Sequence, residues 1–207
     1  LRRRGLASSS DRVVITASTS EAYSLLFKLL CDPGDEVLVP APSYPLFEFL
    51  AALDCVTIRP FRIDYHGEWV CDLDGLRRAT TPRTRAVVVV NPNNPTGSYV
   101  RRPELDAIAA HCTAHGLALI GDEVFAEYVL DVDPRRTCSV LSQRGPLTFS
   151  LGGLSKSLGL PQVKLGWMVV GGPDDLARKA LERLDLICDS YLSVSTPVQL
   201  SAPALLR

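Results

Sequence analysis

Ala86-Val-Val-Val-Val90-Asn-Pro-Asn-Asn-Pro-Thr-Gly97 sets the architecture of this chain. Five apolar residues in a row leave no polar face, so a strand here is buried above and below. That is the pattern of a central parallel strand with helices on both sides, whereas a half-solvated strand would alternate. The strand runs into a loop whose two X-Pro steps and one glycine restrict the backbone. Amide side chains are thereby held at the strand end, and Asn94 can donate to a ring hydroxyl.

Outward from this stretch, short β-branched runs alternate with longer amphipathic ones. Val13–Thr16, Glu36–Val39, Cys55–Ile58, Leu117–Ile120, Leu147–Leu151 and Lys164–Val170 read as further strands, seven in all. Ser20–Leu30, Tyr44–Leu53, Leu73–Ala79, Pro103–Gly116 and Asp174–Ile187 read as helices, the fourth opened by proline and closed by glycine. The alternation predicts an α/β fold of three layers, a mostly parallel seven-stranded sheet with helices on both faces.

In such sheets ligands bind beyond the carboxyl ends of the strands. Ser18 to Ser20, Asn91 to Gly97, Asp122 and Lys156 all fall there. Ser18 and Glu21 have capping-box spacing, so a helix starts at this point with free N–H groups and positive dipole potential. Together with the three hydroxyl residues it makes a phosphate site; an ordinary N-cap is the competing reading. Asp122 ends an apolar strand, where a carboxylate is costly unless a cation or donor meets it. It too can be read as a helix cap.

Lysine use is selective. The chain has 18 Arg and only 4 Lys, and two of these, Lys156 and Lys164, sit in Ser150-Leu-Gly-Gly-Leu-Ser-Lys156-Ser-Leu-Gly-Leu-Pro-Gln-Val-Lys164. A guanidinium stays protonated, whereas a primary amine can lose its proton and attack a carbonyl. The glycines around Lys156 allow a ligand to approach the backbone. Two surface lysines beside a turn is the alternative.

Composition narrows the function further. A net charge of −1 and a pI near 6.3 give no sign of a nucleic-acid or anionic-membrane surface. The six cysteines lack metal or disulfide spacing and read as reduced core residues of a cytoplasmic protein. His111 and His115, with Cys112 beside them, have helical i, i+4 spacing, but no further ligand stands out and a helix face explains the pair, so no metal is expected. Leu1-Arg-Arg-Arg is not followed by an apolar segment, and no run is long enough to span a membrane. With Leu1 first and Met168 the only methionine, residues 1–207 read as part of a longer protein.

The motifs together resemble a known family. Ser18-Thr-Ser20, Pro42-Ser-Tyr44-Pro, Asn93-Asn-Pro-Thr-Gly97, Gly121-Asp-Glu-Val-Phe125 and Ser155-Lys156 with Lys164 occur in the order and separations of the class I/II aminotransferases. These are pyridoxal-phosphate enzymes of fold type I. The resemblance implies that residues 1–207 are most of the cofactor-binding large domain. An N-terminal segment and a C-terminal small domain would be absent, so the piece alone would be incomplete for catalysis. It also implies amino-acid and 2-keto-acid substrates and a homodimer.

Site roles follow from the same resemblance. Lys156 would be the Schiff-base lysine and the base that moves the Cα proton, and Asp122 would pair with the pyridine nitrogen. Tyr44 would stack on the ring and Asn94 would bond its phenolic oxygen. Ser18, Thr19, Ser20, Ser155 and Lys164 complete the cofactor contacts. Three positions depart from the family pattern: Lys164 replaces an arginine, Phe125 a tyrosine and Gly153 a serine. Two other readings fit the same motifs, a carbon–sulfur β-lyase and, without catalysis, the aminotransferase-like effector domain of a transcription regulator.

Overall fold

Ala86, Val88 and Val90 are buried on one face of their strand, and Val87 and Val89 are buried on the other. Each such valine is worth about 1.5–3 kcal/mol relative to exposure, which makes this strand the spine of the molecule. A computed structural model describes residues 9–129, 133–137 and 139–206. Along the chain lie β1 (Val13–Thr16), α1 (Thr19–Leu30), β2 (Glu36–Ala41), α2 (Phe47–Leu53), β3 (Thr57–Tyr65) and β4 (Trp69–Cys71). Then come α3 (Leu73–Ala79), β5 (Thr84–Val90), α4 (Arg102–His115), β6 (Ala118–Asp122) and β7 (Thr148–Gly153). α5 (Leu154–Ser157), β8 (Gly166–Gly171), α6 (Asp174–Asp189) and α7 (Thr196–Leu205) complete the strands and α-helices of the described residues.

The strands form one sheet in the order β1-β8-β7-β6-β5-β2-β3-β4. The run from β7 through β3 is parallel, while β8 is antiparallel to β7, and β1 and β4 are antiparallel to β8 and β3. α1, α2 and α6 pack on one face with Val88 and Ile120, and α3 and α4 on the other with Val87 and Leu119. This is the three-layer α/β arrangement expected from the sequence.

The eighth strand comes from a hairpin that the sequence hides. β3 continues past Pro60 to Tyr65 and returns as β4. Phe61 and Ile63 are buried while Arg62 is exposed and pairs with Asp64 at 2.7 Å. That alternation marks a strand with one wet face, here interrupted by a proline and two arginines. α2 starts at Phe47 instead of Tyr44, because Pro45 disfavours helical backbone at the residue before it.

α4 behaves as read, with Pro103 in its first turn and Gly116 in the left-handed conformation at its end, φ 66°. His111 lies on this helix with its Nε2 2.8 Å from the Thr80 hydroxyl and its ring 4.2 Å from that of His115. Cys112 faces the core and is fully buried. Cys31, Cys55, Cys71, Cys112 and Cys188 are free thiols, and Cys138 lies outside the described residues. Among the described residues no cluster of three metal-ligating side chains occurs, and no helix is long and apolar enough to cross a membrane.

The register decides where chemistry can occur. Asp122 sits in line with Val90 on one side and Leu151 on the other, while Thr16, Gly166 and Gly153 form a second row. The carboxyl ends of β1, β5, β6 and β7 therefore open on one edge of the sheet, where β8 begins.

Candidate active site

Segments distant in sequence meet at that edge around a cleft of about 270 Å³. Ser18, Thr19, Ser20, Tyr23, Tyr44, Asn94, Asp122, Phe125, Gly153, Ser155 and Lys156 line it. All the site residues expected from the sequence except Lys164 are on this wall.

Ser18 follows β1 and caps α1. Its Oγ accepts the Glu21 N–H at 3.1 Å, and the Glu21 carboxylate reaches back to the Ala17 N–H at 2.6 Å. The capping pair thus closes one residue further back than the usual box. Accepting this bond leaves the Ser18 hydroxyl able to donate as well, beside first-turn N–H groups that a helix cannot satisfy internally. β8 approaches this turn so closely that a Cβ on Gly166 would lie 3.0 Å from Thr16 Oγ1 and 3.1 Å from the Ser18 carbonyl carbon. Ser18→Ala is expected to cost about 1 kcal/mol through loss of the cap. A thermal melt compared with wild type checks this, and an unchanged midpoint contradicts it.

Asp122 ends β6 and is buried. The Tyr23 phenol donates to its Oδ2 at 3.1 Å and the Val124 N–H to its Oδ1 at 3.3 Å. Burial pushes its carboxyl up from 3.8 to about 6; the two hydrogen bonds pull downward and the adjacent Glu123 pushes upward. Glu123 has a different task. It accepts bonds from Ser139 Oγ, the Val140 N–H and Ser150 Oγ at 2.8, 2.9 and 2.8 Å. Of two adjacent carboxylates, one faces the cleft and the other ties strands and loop together.

The aromatic wall is a chain of edge-on rings. Tyr44 meets Phe47 at 6.0 Å and 88°, and Phe47 meets Tyr23 at 5.2 Å and 85°. Of the asparagines after β5, Asn91 bonds Thr137 and the Val100 N–H, and Asn93 bonds the Pro42 carbonyl and Thr96. These two hold the loop, and Asn94 is presented to the cleft.

Lys156 stands at the cleft mouth, its Nζ 5.9 Å from the centroid of Phe125. Tyr128 donates its phenol hydrogen to the Lys156 carbonyl at 2.8 Å, so it fixes the lysine's backbone. Lys164 has an exposed side chain and left-handed backbone, φ 54°. It lies beside the wall residue Leu165 without itself lining the cleft.

Tyr23 was not singled out from the sequence. It sits in the buried stripe of α1 with Ala22, Leu25 and Leu26, and a buried tyrosine hydroxyl requires a polar partner. That requirement was the available signal; which residue supplies the partner emerges only from the sheet order.

The donor set suits a ligand with an anionic end, a flat heterocycle and a carbonyl. Hydroxyls and a helix start could take the anion, Tyr44 and the apolar walls could take the ring, and a buried carboxylate and an amine could serve its two polar positions.

The family model described as aminotransferase class I and II matches residues 2–207. The glutamate-pyruvate aminotransferase AlaA of Escherichia coli K12 is 33% identical over 189 residues, 91% of this chain and 46% of its own length. Nicotianamine aminotransferase A of Hordeum vulgare is 32% identical over 204 residues, 96% of this chain and 44% of its own. Among solved structures, an alanine aminotransferase from Pyrococcus furiosus superposes with a TM-score of 0.83 at 32% identity, covering 97% of this chain and 51% of that one. The chain spans about half the length of the relatives it matches. These relatives are named as aminotransferases, so the lyase and regulator readings are not favoured. On its motifs, its fold and these matches, the chain belongs to the class I and II aminotransferase family.

Proposed function

We propose that this chain is the cofactor-binding part of a pyridoxal-phosphate-dependent aminotransferase, moving an amino group between an amino acid and a 2-keto acid. The family depends on pyridoxal phosphate, and the convergence of Lys156 and Asp122 on one cleft carries the proposal. When bound, the cofactor supplies an aldehyde and a ring that accepts electron density released at the substrate Cα.

The chain's own residues do the rest. Ser18, Thr19 and Ser20 would hold the phosphate through hydroxyls and first-turn N–H groups, with the exposed charge of Lys164 nearby. A lysine there gives a point charge in place of a bidentate fork. Tyr44 would lie against the ring and Asn94 would donate to its phenolic oxygen. Asp122 would accept the ring N–H, and Lys156 would take the Cα proton and return it on the other side of the transfer. Phe125 supplies an apolar wall where a second donor to that oxygen would otherwise stand.

The substrate carboxylate site and a partner subunit would come from outside this chain. Leu186, Leu192 and Leu200 on and between α6 and α7 are 74%, 95% and 77% exposed. Apolar surface of that kind supports a homodimer in the intact protein, which we place in the cytoplasm.

The test is a substrate balance on the intact protein. With an amino acid and a 2-keto acid, the two are expected to exchange one for one without ammonia. Release of ammonia and pyruvate from a β-substituted amino acid, with no exchange, would overturn the proposal.

A further inference from the structure

We propose that Tyr23 is a positioning residue of this cleft, its phenol O–H fixing the Asp122 carboxylate as the anion that receives the cofactor's ring N–H. The inference rests on the function proposed above and deepens it. Tyr23 lies 99 residues from Asp122 in sequence, is 2% exposed, and donates to Oδ2 at 3.1 Å. Its ring is locked by Phe47 edge-on at 5.2 Å and by Phe27 at 6.0 Å.

A carboxylate with one donor on each oxygen has a defined plane and retains lone pairs for a further donor. The phenol can serve in this way because burial and Asp122 itself hold its proton well above the ordinary range. The other ionisable groups near Asp122 are Glu123, turned toward Ser139 and Ser150, and across the cleft Tyr44 and Lys156. None of them donates to Asp122 in the structure. Removing the phenol leaves the Val124 N–H as the remaining donor, and the neutral acid gains.

The experiment uses the intact protein freed of cofactor. The protonated-carboxyl infrared band of Asp122, assigned by its loss in Asp122→Asn, is expected to titrate about one pH unit higher in Tyr23→Phe than in wild type. Should Tyr23→Phe not fold, fluorotyrosine placed at position 23 gives a stronger donor of the same shape, and the band should move to lower pH. A band that titrates as in wild type in either folded variant overturns the proposal.

Pyridoxal phosphate affinity supplies the second reading. Its acid limb should move with the Asp122 titration in Tyr23→Phe, whereas Phe27→Leu, which disturbs the same packing, should lower affinity evenly across pH. An even loss in Tyr23→Phe assigns the tyrosine a purely structural role and overturns the proposal. Wild-type protein that binds no pyridoxal phosphate overturns the proposed function itself, and the cofactor-free titration still reports on Tyr23 separately.

Discussion

Lys156→Ala in the intact protein is expected to lower amino-group transfer on the order of 10⁶-fold, the scale seen when a sole nucleophile is removed. The reason is chemical. Among the described residues no other lysine lines the cleft, and Lys164, the nearest in sequence, has its side chain outside it. The fold should survive, since Lys156 is exposed and its structural contact, the Tyr128 hydroxyl on its carbonyl, is to backbone. Borohydride reduction of the loaded protein followed by peptide mass measurement checks the assignment. The cofactor mass should appear on the Lys156 peptide in wild type and in Lys164→Ala, and on no peptide in Lys156→Ala. Label on the Lys164 peptide would transfer the role to that residue.

Asp122→Asn should move activity and stability in opposite directions. An amide cannot balance a cationic ring nitrogen, so transfer is expected to fall on the order of 10³-fold. Stability without cofactor follows from the raised carboxyl. The folded protein releases this proton near pH 6, whereas the unfolded chain releases it near 3.8. Between these values the native state holds more protons, so stability falls as pH rises through the window. Above it the penalty is about 2–3 kcal/mol. Asn carries no such penalty and keeps an oxygen for the Tyr23 hydroxyl. Urea unfolding of cofactor-free protein should therefore show Asp122→Asn more stable than wild type at about pH 8, with the gap closing toward about pH 4. A gap independent of pH would mean that Asp122 titrates normally.

The sequence disclosed those parts of the molecule that local rules govern. The unbroken Val87–Val90 run, the Ser18 cap and the Pro103 and Gly116 bounds of α4 each follow from neighbouring residues. Legibility failed where distant partners decide. β4 is three residues long and exists because β3 offers it an edge. α7 stayed unread because Pro197 and Pro203 make its sequence look like a loop, although Leu154 and Leu165 give its inner side something to pack on. In the site, motifs marked the residues that touch the cleft but not Tyr23, whose importance depends on α1 crossing the end of β6.

The pairing of β1 with β8 has a consequence for biogenesis. The Ser18–Ser20 turn follows the first described strand, yet the strand that buttresses it ends at Gly171. During synthesis from the N-terminus, the turn must wait for nearly the whole sheet, a long loop closure that slows assembly. Until then β7 presents an open edge to other nascent chains. A ligand that needs the buttressed turn can thus be held only once β8 has docked, so a chain that holds one has already passed its hazardous stage.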